Sequence, residues 1–320
     1  MLRTRLTDSL QIDHPVMLAG MGGVSYHRLA AAVSEAGGFG CLGASTMGDD
    51  EMRAEIAGVR EATAKPFGVD LLTALPRGLE EKVGDIIRGG ATAFVAGLGV
   101  PREVIDLCHA SGLLVIDMCG KVRHAVAAVE AGCDIVVAQG TEAGGHTGKI
   151  ATMALVPQVV DAVGDRVPVV AAGGIVDGRG LAAALALGAD GVWVGTRFIA
   201  TPEARSVVGY KDVLLRSHDD DTVVTRAYTG KTCRVIANRY TQPFESGERE
   251  ADPFPNQIFA SMNDGANHLG GDEGTVGVDP EREFFPAGQG VGAIDSLVPA
   301  ADLVHRFVDE AEAVLAKLRS

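Results

Sequence analysis

The sequence predicts a (β/α)8 barrel, a TIM barrel, with an irregular lid-like excursion towards its C-terminal end. Three observations lead there. Eight short apolar runs recur at a steady interval along the first two hundred residues. They are apolar throughout, as strands covered on both faces must be. Glycines and polar residues gather directly after the runs, at the end of the strands where such a barrel keeps its working mouth. A doubly wound open sheet is the competing arrangement, but a count of eight favours closure.

The runs are PVMLAG (15–20), FGCLGA (39–44), PFGVDLL (66–72), TAFVAGLG (92–99), LLVIDMCG (113–120), DIVVAQG (134–140), VPVVAAGG (167–174) and GVWVGTRFI (191–199). The segments between them carry helical spacing. In SYHRLAAAVSEAGG, Leu29, Ala32, Val33 and Ala36 share one face and Gly37 stands where a helix stop is expected. After residue 200 the rhythm ends. GYKDVLLRSH (209–218) reads as helix, whereas 241–292 is rich in Gly, Pro, Asn and Asp and suits a lid beside the mouth. The closing segment returns to an amphipathic helix, with Leu303, Phe307, Val308, Ala311, Val314 and Leu315 along one side. The expected division is a barrel over 1–205, a lid segment over 206–292 and a C-terminal helix over 293–320 that packs back on the barrel.

Composition narrows the function classes. A chain of 320 residues with 47% hydrophobic and 22% charged residues can bury one large core. A net charge of −14 argues against nucleic acid or an anionic membrane as partner, since both need a cationic surface. No signal-peptide pattern and no long uncharged apolar stretch is visible, so the expectation is a cytoplasmic protein without a membrane span. The five cysteines form no C-x-x-C pair and read as reduced core thiols, with no metal site.

Chemistry is expected at the strand ends. GGIVDGRG (173–180) and GTR (195–197) follow the seventh and eighth runs, where barrels of this kind bind phosphate, and the DGRG segment opens a helix whose N–H groups favour an anion. The alternative is that these glycines only make tight turns. The stretch AQGTEAGGHTG (138–148) places one imidazole, His146, on a glycine-rich backbone after the sixth run. Such a group can exchange protons near neutrality.

PVMLAGMGGVSYHRLAAAVSEAGGFGCLG, AQGTEAGGHTG and PVVAAGGIVDGRGLAAALALGADGVWVGTRF, in that order, resemble the nitronate monooxygenase family and its relatives, the FMN-dependent enoyl-thioester reductases. The resemblance covers about residues 10–205 well, extends loosely through 228–239 and 286–304, and gives little over 241–285. It implies FMN in the barrel mouth. Ala19, Gly20, Met21 and Gly22 would lie by its ring system, Gln139, Gly144 and Gly145 would line it, and Gly173, Gly174, Gly195 and Thr196 would hold its phosphate. Lys121 would stabilise charge near the ring's pyrimidine edge, the alternative being a solvated lysine at a helix start. Asp70 is a departure, because many relatives carry Asn there, and an ionised carboxylate accepts but cannot donate a hydrogen bond. The family's catalytic histidine falls on His146.

Two activities follow from the resemblance. One is oxidation of an alkyl nitronate by FMN and O2. The other is NAD(P)H-dependent reduction of an enoyl or related acyl thioester. Arg226, Lys231, Arg234 and Arg239 form a cationic stretch that could meet coenzyme A phosphates, or could pair with acids elsewhere. A homodimer is compatible with either. Cys119, at a strand end, is read as structural rather than as a nucleophile.

Overall fold

The computed structural model describes residues 2–73, 78–97 and 99–319; Leu98, in the fourth run, lies outside them. Each of the eight runs holds a strand: β1 (Val16–Leu18), β2 (Gly40–Gly43), β3 (Phe67–Leu72), β4 (Ala93–Gly97), β5 (Leu114–Cys119), β6 (Ile135–Gln139), β8 (Val169–Ala172) and β9 (Gly191–Val194). Between β6 and β8 lies a two-residue strand, β7 (Gly145–His146), which belongs to a separate sheet.

The eight barrel strands are parallel and ordered β1-β9-β8-β6-β5-β4-β3-β2. The ends of that row meet at a parallel bridge between Met17 and Phe39, with Leu18 N–H donating to the Phe39 carbonyl and Phe39 N–H to Val16, each at 2.9 Å. The sheet is a barrel and not an open doubly wound array.

Side chains alternate across the barrel wall. Met17, Phe39, Cys41, Val95, Ile116, Val137, Val170 and Trp193 fill the interior, and Leu6 and Leu10 of the helix Arg5–Leu10 join that inner cluster. Residues of the opposite parity, such as Val69, Phe94, Val115 and Val136, face the surrounding helices.

The helical ring contains Asp49–Ala62, Leu79–Arg88, Arg102–Ala110, Val122–Ala131 and Thr152–Val163 between the two helices His27–Glu35 and Gly178–Ala186. The gap between those two is filled by the C-terminal helix Ala300–Arg319, which packs on both. Leu303, Phe307, Val308 and Ala311 are buried as expected, and Val304 with them. That helix therefore takes the place of the one that would follow the eighth strand, and the excursion is inserted between strand and helix.

The excursion is more regular than the sequence suggested. It holds β10 (Thr222–Thr225) and β11 (Cys233–Ile236), an antiparallel hairpin, and short helices at Tyr210–Arg216, Gln242–Glu245 and Asn256–Asn263. β11 pairs antiparallel with β7, setting Cys233 opposite His146 and Arg234 opposite Gly145. Strand pairing across more than eighty residues of chain has no local signature, which is why the pattern of apolar runs did not reveal it.

Candidate active site

The strand C-termini and the excursion enclose one cavity of about 1180 Å3. All fourteen residues singled out from the sequence line it: Ala19, Gly20, Met21 and Gly22 after β1, Asp70 on β3, Lys121 after β5, Gln139 on β6, Gly144, Gly145 and His146, Gly173 and Gly174 after β8, and Gly195 and Thr196 after β9. The volume exceeds the usual range for a single small-molecule pocket, leaving room for a cofactor and a substrate together.

Gly173 and Gly174 sit at φ +106° and +72°, a left-handed backbone that a side chain would strain. The turn they make leaves the N–H groups of Gly173, Gly174, Ile175 and Val176 without an acceptor among the described residues. Successive unpaired N–H groups of this kind form an anion-binding concavity. The following helix does not share the task as the sequence suggested. Its first N–H, of Gly178, donates to Glu310 at 2.9 Å, and those of Arg179 and Gly180 donate to the Asp177 carboxylate. An N-cap aspartate already occupies that helix end. Thr196 receives the Gly288 N–H on its hydroxyl at 2.9 Å, which ties the turn after β9 to the loop at 286–290.

The loop bearing His146 is clamped, not free. Besides β7 pairing, the Gln139 side-chain amide donates to the His146 carbonyl at 2.6 Å and the Arg234 guanidinium to the Thr141 carbonyl at 2.9 Å. A Cβ on Gly144 would lie 2.7 Å from backbone atoms of Ala287 and Gly288, so two backbones touch there. The imidazole Nε2 lies 3.0 Å from the Thr229 hydroxyl, and Phe254 meets the ring edge-on with centroids 6.4 Å apart. Nδ1 has no partner among the described residues. Burial, aided by the Lys231 ammonium, lowers the His146 pKa to about 4, so the ring is neutral at physiological pH.

Asp70 is partly buried and points into the barrel mouth with no hydrogen bond or ion pair to the described residues. Desolvation pushes its pKa up to about 8. Its carboxyl is therefore protonated at neutral pH and can donate as well as accept, like the asparagine it stands for, which removes the restriction expected of an ionised group. Lys121 precedes the helix Val122–Ala131 and makes no ion pair within the described residues.

Other expectations change. The cationic stretch is not a patch: Arg226 donates to the Gly230 carbonyl, Arg234 is buried on Thr141 and Thr222, and Arg239 pairs with Asp279. Only Lys231 of the four lines the cavity, its ammonium 4.2 Å above the Phe254 ring. Cys119 is buried among the residues facing the outer helices, although it also borders the cavity, and burial beside Asp117 drives its thiol pKa far up, against a role as nucleophile. All five cysteines are free and buried. Among the described residues there is no cluster able to hold a metal, and no helix is long and apolar enough to cross a membrane.

The sequence passed over Thr229, the apolar wall Phe254, Ile258 and Phe259, and a second imidazole, His268, held by the buried Glu283 at 2.7 Å. Thr229 had one signal available, its place in the YTGKTC stretch that the family resemblance reached loosely.

A parallel barrel whose strand ends offer an anion nest, a neutral carboxylic acid and a lone clamped imidazole defines the scaffold of a cofactor-dependent enzyme. The comparisons sharpen this. The profile of the nitronate monooxygenase family matches residues 3–89 and 78–310, and the chain belongs to that family. It is an oxidoreductase, in a family of flavoenzymes. A probable nitronate monooxygenase from Staphylococcus aureus is 32% identical, over 85% of this chain and 89% of its own. A Mycobacterium tuberculosis protein, the (3aS,4S,5R,7aS)-5-hydroxy-7a-methyl-1-oxo-octahydro-1H-indene-4-carboxyl-CoA dehydrogenase, is 42% identical over 78% of this chain and 70% of its own. The structure of FabK from Thermotoga maritima superposes with a TM-score of 0.86 at 35% identity, covering 100% of this chain and 99% of that one.

Proposed function

We propose that the protein is an FMN-dependent oxidoreductase that oxidises alkyl nitronates with O2. The observation that carries the reading is the row of four unpaired N–H groups at Gly173–Val176, in the same cavity as His146. The nest suits the phosphate of FMN, with Gly195 and Thr196 beside it. Asp70 on β3 and Lys121 just after β5 would offer the ring's polar edge an O–H and an ammonium donor. Ala19–Gly22, Gln139, Gly144 and Gly145 supply a low wall against which a flat ring can lie. When bound, FMN supplies the electron transfer from substrate towards O2.

The chain's own part is binding and proton handling. With Nε2 held by Thr229, His146 presents Nδ1 as its unpartnered nitrogen, the atom that would exchange a proton with substrate. A nitronate beside it would raise its pKa from about 4 towards neutrality. Lys231, next to the imidazole, adds positive charge for an anionic substrate.

A second reading is supported by the Mycobacterium relative, whose name describes a carboxyl-CoA substrate: reduction of an enoyl or related acyl thioester with NAD(P)H. The two separate in one set of assays. Purified protein loaded with FMN is given propionate 3-nitronate and, separately, a long-chain alkyl nitronate under air, and in parallel NADH or NADPH with and without an enoyl-CoA. Oxygen uptake with nitronate alone supports the first reading. Thioester-dependent NAD(P)H oxidation without nitronate turnover replaces it with the second.

A further inference from the structure

The helix Asn256–Asn263 on the rim of the cavity is amphipathic in the reverse of the usual sense. Its buried side is polar: Gln257 and Ser261 are 1% and 0% exposed, while the terminal Asn256 and Asn263 are open to solvent. Gln257 donates to the Ala227 carbonyl and accepts from Asp252 N–H at 2.8 Å, and Ser261 donates to the Tyr228 carbonyl at 2.9 Å. These bonds fasten the helix to the excursion by its polar side. Its apolar residues are the open ones, with Phe259 61% and Met262 40% exposed, and both line the cavity, as does Ile258 beneath them. Leu269, 40% exposed, adds to the same rim.

A surface helix normally turns its apolar stripe inward, because burying it stabilises the fold. Here that stabilisation is forgone on a helix held elsewhere by these three hydrogen bonds. Eight large hydrophobic side chains are exposed among the described residues, and three of them stand on this one rim. Clustering of that kind marks a binding surface, whereas single exposed apolar residues do not. Phe254 and Ile258 line the same cavity as the rim residues. Phe254, two residues before the helix, lies against the His146 ring, so a molecule reacting there would extend past Phe254 and Ile258 to Phe259 and Met262.

We infer that the open face of helix 256–263 is the binding wall for a bulky apolar body carried by the substrate, whose reacting end sits at His146. This rests on the proposed flavin-dependent reaction for the position of the reacting end, but not for the wall itself. The substrate class is accordingly one with a long or polycyclic hydrocarbon portion, and the smallest nitronates are poor fits.

The test measures binding as well as turnover. The FMN-loaded enzyme is titrated with two homologous series, primary alkyl nitronates and trans-2-enoyl-CoAs of increasing chain length, following the flavin absorbance band. Within the series that binds, affinity should rise about fourfold for each methylene until the wall is covered, the factor set by burying one CH2. In a Phe259→Ser/Met262→Ser double variant the slope should flatten and the longest homologue should lose at least ~10-fold in affinity. Flavin content and melting temperature serve as the folding control, since both side chains are exposed. Affinity independent of chain length in both series, or an unaltered slope in the variant, overturns the inference. So does a variant that changes oligomeric state with its slope intact, which would give the face to a second copy of the chain. If affinity rises with length but neither series is turned over, the wall stands and the proposed reaction falls.

Discussion

Replacing Asp70 with asparagine should stabilise the cofactor-free protein, by an amount that depends on pH in a defined direction. The native carboxyl has a pKa of about 8 against an ordinary 3.8. The folded chain therefore holds a proton that the unfolded chain has released throughout that interval. Such an acid costs native stability progressively as pH rises from about 3.8 to about 8, at about 1.4 kcal/mol per pH unit, and the full cost remains above that range. At pH 7 the cost approaches ~4 kcal/mol, a ceiling, because water entering the cavity mouth screens the carboxyl; a gain of ~2–4 kcal/mol is expected for Asp70→Asn. The amide has the same shape and no ionisation to suppress. Urea unfolding of apo-protein and variant between about pH 5 and pH 9 measures it, with the gain small at the acid end and largest at the alkaline end. A gain that does not vary with pH, or a variant less stable than the parent at pH 8, would refute the reasoning that desolvation alone sets this group.

Further outcomes follow from the other parts of the site. His146→Ala should retain the fold and bound flavin while turnover on the true substrate falls ~10²–10⁴-fold, the range for losing a general acid or base; loss of flavin on purification would instead make the residue structural. In the parent enzyme, kcat/KM should show no inflection from this residue above about pH 6, since its free-state pKa is about 4, a point checked by the pH profile of the variant beside the parent. Thr229→Val should lower turnover while Thr229→Ser restores it, and 15N NMR of labelled His146 should show the ring losing its fixed tautomer only in the valine protein. Gly174→Val should weaken FMN by an order of magnitude or more in fluorescence titration, because φ +72° and the Glu142 Cβ 3.2 Å away both resist a side chain; an unchanged dissociation constant would move the phosphate elsewhere.

The barrel was legible because its signal is local. Strands such as Ile135–Gln139 and Val169–Ala172 are buried on both faces and read as continuous apolar runs, and the mouth residues follow them directly in sequence. The anion nest was legible to the glycine pair but not to the atom. That Asp177 and Glu310 close the next helix end depends on a contact from residue 310, far along the chain. His146 was visible as an odd side chain among glycines, whereas its partner Thr229 lies eighty-three residues away, reached only through the β11–β7 pairing. The helix 256–263 escaped because its pattern runs against the usual rule, polar side inward. The neutral state of Asp70 could not be read at all, since it follows from how much water the folded mouth excludes.

The insertion of the excursion between β9 and the helix Ala300–Arg319 has a consequence for the order of assembly. During synthesis the eighth strand emerges about a hundred residues before the helix that completes the ring around it. For that interval the helices His27–Glu35 and Gly178–Ala186 lack the neighbour that later fills the gap between them. The hairpin and rim helix therefore leave the ribosome before the barrel is sealed, and the last helix locks a mouth whose parts are already present. Nascent chains halted near residue 295 should be the most aggregation-prone species on the pathway, because they carry a nearly finished barrel with one long apolar seam uncovered.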